Sequence, residues 1–153
     1  MPNNNILDFI KNSPYVLADG ATGTYFAEIS GISADKCELA NIESPDIIKR
    51  IHEEYIKAGS QLLRTNTFAA NTYFLKKDMD YVKEVIRKGF EIASLAAKDK
   101  DVYVLANIGP IPEVESYDVL KEYKSIVDTF IESGAENFIF ETFGSFETLL
   151  KVC

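Results

Sequence analysis

The chain has 153 residues, 46% of them hydrophobic and 12% aromatic, which is typical of one folded domain. Its formal net charge of -8 argues against a nucleic-acid partner, because binding to phosphate backbones depends on clustered Lys and Arg. No stretch approaches the roughly 20 apolar residues of a membrane-spanning helix, and the N-terminus does not resemble a signal peptide, so we expect a soluble, cytoplasmic protein.

Four apolar stretches, each followed by polar residues, predict four β-strands. They cover residues 16–19, 62–67, 102–107 and 138–142. Near-continuous apolar strands that alternate with helices are typical of a parallel sheet, and the active sites of such folds collect at the carboxyl ends of the strands. The polar residues predicted at these ends are Asp19, Asn66, Asn107 and Glu141.

The segments between the predicted strands carry helical signals. Ser44 is a suitable N-cap and Pro45 a suitable first residue for a helix that ends at Gly59. A second apolar stripe at helical spacing covers residues 82–97, and a third covers residues 119–131. The regular alternation predicts successive β/α units and leaves no room for a linker or a second domain.

The last predicted helix is cut short by the end of the chain. Ser145 is a suitable N-cap, and residues 146–153 predict two helical turns without a C-terminal signal. A closed (β/α)8 barrel takes about 250 residues. We therefore expect an α/β fold made of the first four β/α units of a TIM barrel, with residues 1–153 as one incomplete domain.

The cysteines and the single histidine give no catalytic signal by themselves. Cys37 and Cys153 are too few for a disulfide framework and lack the close spacing of a zinc pair, which predicts free thiols. His52 lies in a predicted helix, away from the strand ends. This position favours a structural hydrogen bond over a catalytic role.

Five motifs together resemble the homocysteine S-methyltransferase family, and in particular the homocysteine-binding module of the cobalamin-dependent methionine synthases. They lie in residues 19–24, 38–59, 65–71, 108–110 and 140–143. The resemblance runs from Tyr15 to the last residue, with the motifs in the same order and at the same spacing. Three places depart from the family pattern: Thr22 replaces a methionine, Asn107 replaces a small or acidic residue, and Gly59-Ser60-Gln61 replaces a Gly-Ala-Asp.

The resemblance implies a (β/α)8 barrel that transfers an activated methyl group to homocysteine and forms methionine. In the family, three cysteine thiolates bind a zinc ion, which holds homocysteine as a thiolate. Those cysteines belong to later strands, so neither Cys37 nor Cys153 matches a ligand, and this chain alone is expected to be inactive. The pattern of residues 65–71 favours methylcobalamin or methyltetrahydrofolate, carried by other domains, as the methyl source over betaine.

The resemblance also implies that this part of the barrel binds the amino-acid end of homocysteine. Glu141 would hold the substrate ammonium, although a carboxylate here could instead cap a helix or pair with a neighbouring cation. Asp19 and Gly20 match the first-strand motif, although an Asp-Gly pair after a strand is often only a turn. The expected substrate-binding residues are Asp19, Gly20, Ala21, Thr22, Thr65, Asn66, Thr67, Asn107 and Glu141.

A second hypothesis is a non-catalytic half-barrel, or a split subunit, that binds an amino acid or a partner chain. A half-barrel has unpaired strand edges, so the expected partner is a complementary C-terminal half or a second copy of the chain. An aldolase-type barrel would carry a Schiff-base lysine at a strand end, and none of the four predicted ends has one.

Overall fold

The computed structural model describes residues 5–114, 117–145, 147 and 149–152. Its elements in chain order are α1 (Ile6–Asn12), α2 (Thr22–Ser30), a 3-10 turn (Ala34–Lys36), α3 (Ala40–Glu43), α4 (Pro45–Lys57), β1 (Leu62–Arg64), α5 (Thr72–Leu75), α6 (Met79–Ala97), β2 (Tyr103–Ile108), α7 (Val119–Glu132), β3 (Phe138–Phe140) and α8 (Leu149–Val152).

The strands form a parallel sheet in the order β1-β2-β3. In the register, Arg64 lies beside Leu105, and Asn107 lies beside Ile139. All six residues of β2 are buried, which explains why this strand is almost continuously apolar. The parallel α/β architecture predicted from the sequence is confirmed, although β1 and β3 are shorter than their apolar stretches.

The first predicted strand is reduced to one parallel bridge between Ala18 and Leu62. The carbonyl of Leu17 accepts hydrogen bonds from the backbone N–H groups of both Gln61 and Leu62, at 2.8 and 3.1 Å. The Gln61 side chain in turn accepts the Leu17 N–H at 3.2 Å. Because a side chain and a shared carbonyl replace regular ladder bonds, residues 16–19 do not form a longer strand.

The main helices lie where their apolar periodicity predicts them. Val82, Val85 and Ile86 of α6 are completely buried and belong to the same core as Leu63 of β1 and Val104 of β2. Side chains alternate between the two faces of a strand. Leu63 therefore faces the helices, and Arg64 faces the opposite side of the sheet.

Two helix ends and one whole helix differ from the sequence analysis. Ser44 occupies the N-cap position of α4, but its side chain makes no capping hydrogen bond. Ser145 does not cap α8; its Oγ accepts the N–H of Glu147 at 3.1 Å, and the helix begins at Leu149. The sequence analysis did not predict α1, whose Phe9 ring packs against Tyr103 with the ring centroids 5.0 Å apart.

Among the residues that the structure describes, no helix is long and apolar enough to cross a membrane.

Candidate functional site

A cavity of about 630 Å³ lies at the carboxyl ends of the strands. All of the predicted substrate-binding residues except Asp19 and Gly20 line it; these are Ala21, Thr22, Thr65, Asn66, Thr67, Asn107 and Glu141. The parallel sheet brings them together because every strand presents its carboxyl end to the same edge. Arg64, Cys37 and Glu38 also line the cavity, and the sequence analysis assigned none of these to it.

Arg64 connects the first and last of the predicted strand ends. Its Nε donates to Asp19 Oδ1 at 2.7 Å, and its Nη1 donates to Glu141 Oε2 at 2.6 Å. Its Nη2 donates to the carbonyl oxygens of Asp19 and Gly20, at 3.1 and 2.9 Å. We call Asp19, Arg64 and Glu141 the ionic cluster; when both acids are ionised it carries one net negative charge.

The Asp19 carboxylate is hydrogen-bonded to Arg64 and does not line the cavity. Its residue is 7% exposed, and its Oδ2 accepts the backbone N–H of Arg64 at 3.1 Å. Burial raises the pKa of the Asp19 carboxyl, and the hydrogen bonds and charge of Arg64 oppose that rise. Asp19 therefore holds Arg64 in place, and the substrate contact expected for Asp19 stays a prediction.

Gly20 allows a close approach between the loop after Asp19 and Tyr55 of α4. A Cβ atom at this position would lie 2.7 Å from the Tyr55 hydroxyl oxygen. That hydroxyl donates to the carbonyl of Ala21 at 3.2 Å, which fixes the backbone at the cavity wall. Gly20 thus shapes the wall but does not line the cavity, and the substrate contact expected for it stays a prediction.

Asn66 forms a buried cluster with Cys37 and Asn41, which we call the amide cluster. Its Nδ2 donates to the carbonyl of Cys37 at 2.8 Å and to Asn41 Oδ1 at 2.9 Å. Its Oδ1 accepts the Cys37 thiol at 3.0 Å. Asn41 Nδ2 completes the cluster by donating to the carbonyls of Asn66 and Val85, at 2.8 and 3.1 Å.

Thr65 and Thr67 fasten the end of β1 to the end of β2. Their hydroxyl oxygens lie 2.6 Å apart. Thr67 Oγ1 donates to the carbonyl of Asn107 at 2.7 Å, and Thr65 Oγ1 accepts the Asn107 N–H at 2.9 Å. Both threonines therefore position the backbone of Asn107.

The Asn107 side chain differs from those of Asn66, Thr65 and Thr67, whose polar atoms have hydrogen-bond partners within the protein. Its residue is 5% exposed, and its Oδ1 is buried without a hydrogen-bond partner among the described residues. An unsatisfied buried acceptor costs free energy unless a donor reaches it. Because Asn107 lines the cavity, a ligand in the cavity is a natural source of that donor.

Sequence comparison decides the family. The homocysteine S-methyltransferase family matches residues 16–152. The chain belongs to this family. This confirms the resemblance that the five motifs carry.

Curated relatives of this chain include enzymes with different names. The methionine synthase of Mycobacterium tuberculosis is 28% identical over 90% of this chain and 13% of its own length. The methionine synthase of Mycobacterium leprae is 30% identical over 83% of this chain and 12% of its own length. Betaine–homocysteine S-methyltransferase 1 of Sus scrofa is 26% identical over 90% of this chain and 54% of its own length.

Solved structures confirm the fold of this family member. The homocysteine methyltransferase MmuM of Escherichia coli matches in its oxidized form with a TM-score of 0.78 and 22% identity. Its metallated form matches with a TM-score of 0.73 and 19% identity, over 97% of this chain and 62% of the MmuM chain. The chain therefore spans less than two thirds of the solved MmuM structure.

The described residues do not fit the zinc ion that the family resemblance implies. The ranges given above contain no group of three His, Cys, Asp or Glu side chains that could hold a metal. Cys37 is a free thiol, as predicted, and is 2% exposed. Burial, together with the charge of Glu38, raises the pKa of its thiol to about 12. Cys37 belongs to no three-ligand group among the described residues, and Cys153 lies outside them.

His52 lies in α4 and does not line the cavity. It is completely buried, and neither ring nitrogen has a hydrogen-bond partner among the described residues. Burial lowers its pKa to about 4, which keeps the ring neutral. The prediction of a structural hydrogen bond is wrong, because the imidazole is buried as a neutral ring without partners.

Proposed function

We propose that this chain binds the amino-acid end of homocysteine, as part of a homocysteine S-methyltransferase that transfers a methyl group to the homocysteine thiolate and forms methionine. Family membership supports homocysteine methylation in general. One observation supports the more specific proposal: the same cavity holds a carboxylate with a free oxygen, on Glu141, and an amide oxygen without a partner among the described residues, on Asn107.

Glu141 is the proposed partner of the substrate ammonium. Its Oε2 accepts from Arg64 at 2.6 Å. Its Oε1 has no hydrogen-bond partner among the described residues, and its side chain is 21% exposed at the cavity. Because the ionic cluster keeps one net negative charge, it attracts a cation even though Arg64 is present. Charge-assisted hydrogen bonds of this kind are about twice as strong as neutral ones.

Asn107 is the proposed second acceptor. It is the penultimate residue of β2 and pairs with Ile139 of β3, the strand that leads to Glu141. Asn107 and Glu141 both line the cavity. An ammonium group carries three donors, so it can bind Glu141 Oε1 and Asn107 Oδ1 together. This arrangement would satisfy the buried oxygen of Asn107 and give the ligand a fixed orientation.

The methyl-transfer step needs groups that the described residues do not supply. When bound, zinc would lower the pKa of the homocysteine thiol. By the resemblance, its cysteine ligands belong to later strands of the barrel, so the isolated chain is expected to be inactive. Relatives named for methionine synthesis and for betaine match at similar identity, 28–30% and 26%. Methylcobalamin or methyltetrahydrofolate as the methyl source therefore stays a prediction.

The proposed macromolecular partner covers the outer edge of β3. This strand has a neighbour on one side only among the described residues, and all three of its residues are half-buried. Open strand edges tend to pair with further strands. We expect the complementary half of the barrel, or a second copy of the chain, to occupy this edge.

Calorimetric titration of the 153-residue chain with L-homocysteine tests the proposed function. Glu141→Gln keeps the shape of the side chain and removes its charge, so we expect Kd to rise about tenfold or more. Glu136→Gln is the matched control, because Glu136 is exposed, lies close in sequence and does not line the cavity. Equal affinities for the parent chain and Glu141→Gln would contradict the assignment of Glu141.

A further inference from the structure

Arg64 is a cavity residue for which the sequence motifs predicted no role, and its hydrogen bonds leave one N–H donor unused. A guanidinium group has five N–H donors. Asp19 Oδ1, Glu141 Oε2 and the carbonyls of Asp19 and Gly20 take four of them. One N–H on Nη1 has no acceptor among the described residues.

The surroundings of Arg64 indicate more than a structural ion pair. Its side chain is 23% exposed and lines the cavity, whereas the Asp19 side chain that holds it is completely buried. Asp19 and Gly20 grip the Nε and Nη2 side of the guanidinium. The remaining nitrogen, Nη1, is shared with Glu141, the residue that reaches the cavity. The anchored half is thus buried, and the half with spare capacity lies next to the proposed ammonium site.

We propose that Arg64 is a specificity-determining residue whose spare Nη1–H binds the carboxylate of the amino-acid ligand while Glu141 binds its ammonium. This inference rests on the proposed function and adds the recognition of the second charged group. The ammonium and carboxylate of an α-amino acid sit on one carbon. They would meet an acceptor and a donor that belong to an ion pair only 2.6 Å long.

The anchoring of Arg64 holds in place the group that would distinguish amino acids from simple amines. Three hydrogen bonds to the backbone and side chain of residues 19 and 20 fix the guanidinium plane before a ligand arrives. Pre-organised donors lose little conformational entropy on binding. A lysine at this position would supply a point charge without the planar, multiply anchored fork. Zwitterionic amino acids should therefore bind better than amines that lack a carboxylate.

A comparison of the affinities of two thiols tests the inference. L-Homocysteine carries both charged groups, and 3-aminopropane-1-thiol is the same molecule without the carboxylate. For the parent chain, we expect calorimetry to give homocysteine an affinity about tenfold higher than that of the amine, the value of one charge-assisted hydrogen bond. In Arg64→Gln, the two affinities should agree within about twofold.

Arg87→Gln is the matched control, because Arg87 forms an exposed ion pair with Glu132 at 3.6 Å, away from the cavity. It should keep the discrimination of the parent chain. Homocysteine binding with the same discrimination in Arg64→Gln would overturn the inference and leave the proposed function intact. A parent chain that binds no homocysteine would overturn both.

Circular dichroism first establishes that each variant folds. If Arg64→Gln unfolds, Arg64→Lys takes its place, because it retains the positive charge that Asp19 and Glu141 require. A folded Arg64→Lys variant should lose most of the discrimination, since it lacks the anchored Nη1–H. Full discrimination in that variant would overturn the inference.

Discussion

The ionic cluster and the amide cluster border the same cavity, yet they use their hydrogen-bonding capacity differently. In the amide cluster, Asn66 Oδ1 accepts the Cys37 thiol, and Asn66 Nδ2 donates to Cys37 and Asn41. In the ionic cluster, Glu141 and Arg64 each retain a group without a partner among the described residues. The groups of the first cluster are bonded to one another, and the second cluster is the site that we propose for a charged ligand.

This difference is the basis for the proposal that Asn66 builds the site and Glu141 contacts a ligand. Asn66 and Glu141 both lie at strand ends and both line the cavity, so position alone does not distinguish them. The number of hydrogen bonds already made within the protein does. Substitutions in the amide cluster should therefore reduce stability, whereas Glu141→Gln should reduce affinity.

The largest expected effect concerns the Cys37 thiol. Burial raises its pKa to about 12 from an ordinary value of 9.0, so at pH 8 the reactive thiolate is about a thousandfold rarer than in the unfolded chain. In a Cys153→Ser background, Cys37 is the only thiol. We expect its reaction with a disulfide reagent to be at least about a thousandfold slower in buffer than in urea. Rates within tenfold of each other would mean that the amide cluster opens readily.

The second prediction is that Asn66→Ala destabilises the fold by about 3 kcal/mol, because it leaves the buried Cys37 thiol and the Asn41 amide oxygen without partners. Urea unfolding measures the free energy. Asn12→Ala is the control, since Asn12 is exposed and donates only to the carbonyl of Asp8; it should cost under about 0.5 kcal/mol. A loss below about 1 kcal/mol for Asn66→Ala would place Asn66 among the ligand contacts instead.

The third prediction concerns His52, a buried polar group that lacks partners but lies away from the cavity. The folded protein keeps the ring neutral down to about pH 4, while the unfolded chain takes up a proton near pH 6.5. Its contribution to stability is therefore complete above pH 6.5 and is lost as the pH falls towards 4, by up to about 3 kcal/mol.

His52→Leu removes this titration and isolates it from Asp19 and Glu38, whose raised carboxyl pKa values act in the opposite direction. Urea unfolding at several pH values between 4 and 7 should give the variant a gain over the parent chain that grows as the pH falls. A constant difference across that range would show that His52 does not titrate as its burial requires.

Apolar patterning was sufficient to predict the main helices and the parallel strands. The stripe of Val82, Val85 and Ile86 is a direct consequence of helical periodicity, and the apolar run of β2 follows from burial on both faces. Glu141 and Asn107 were placed correctly at the cavity, because strand ends of a parallel sheet share an edge. These predictions depended on local spacing and on one general property of the fold.

Roles that depend on long-range pairing were not predictable. Arg64 is separated from Asp19 by 45 residues and from Glu141 by 77, so its sequence neighbours carry no sign of the ion pairs. An arginine at the end of a buried strand was nevertheless a usable signal, since such a charge needs carboxylate partners. The sequence also does not reveal that the Asn66 amide is hydrogen-bonded to Cys37 and Asn41.

The central claim is that the ionic cluster binds the ammonium group of homocysteine. The most direct measurement is a calorimetric titration of the 153-residue chain with L-homocysteine and with 4-mercaptobutanoate, which lacks only the ammonium. We predict saturable binding of homocysteine, with 4-mercaptobutanoate at least about tenfold weaker. Equal affinities for the two thiols would contradict the claim.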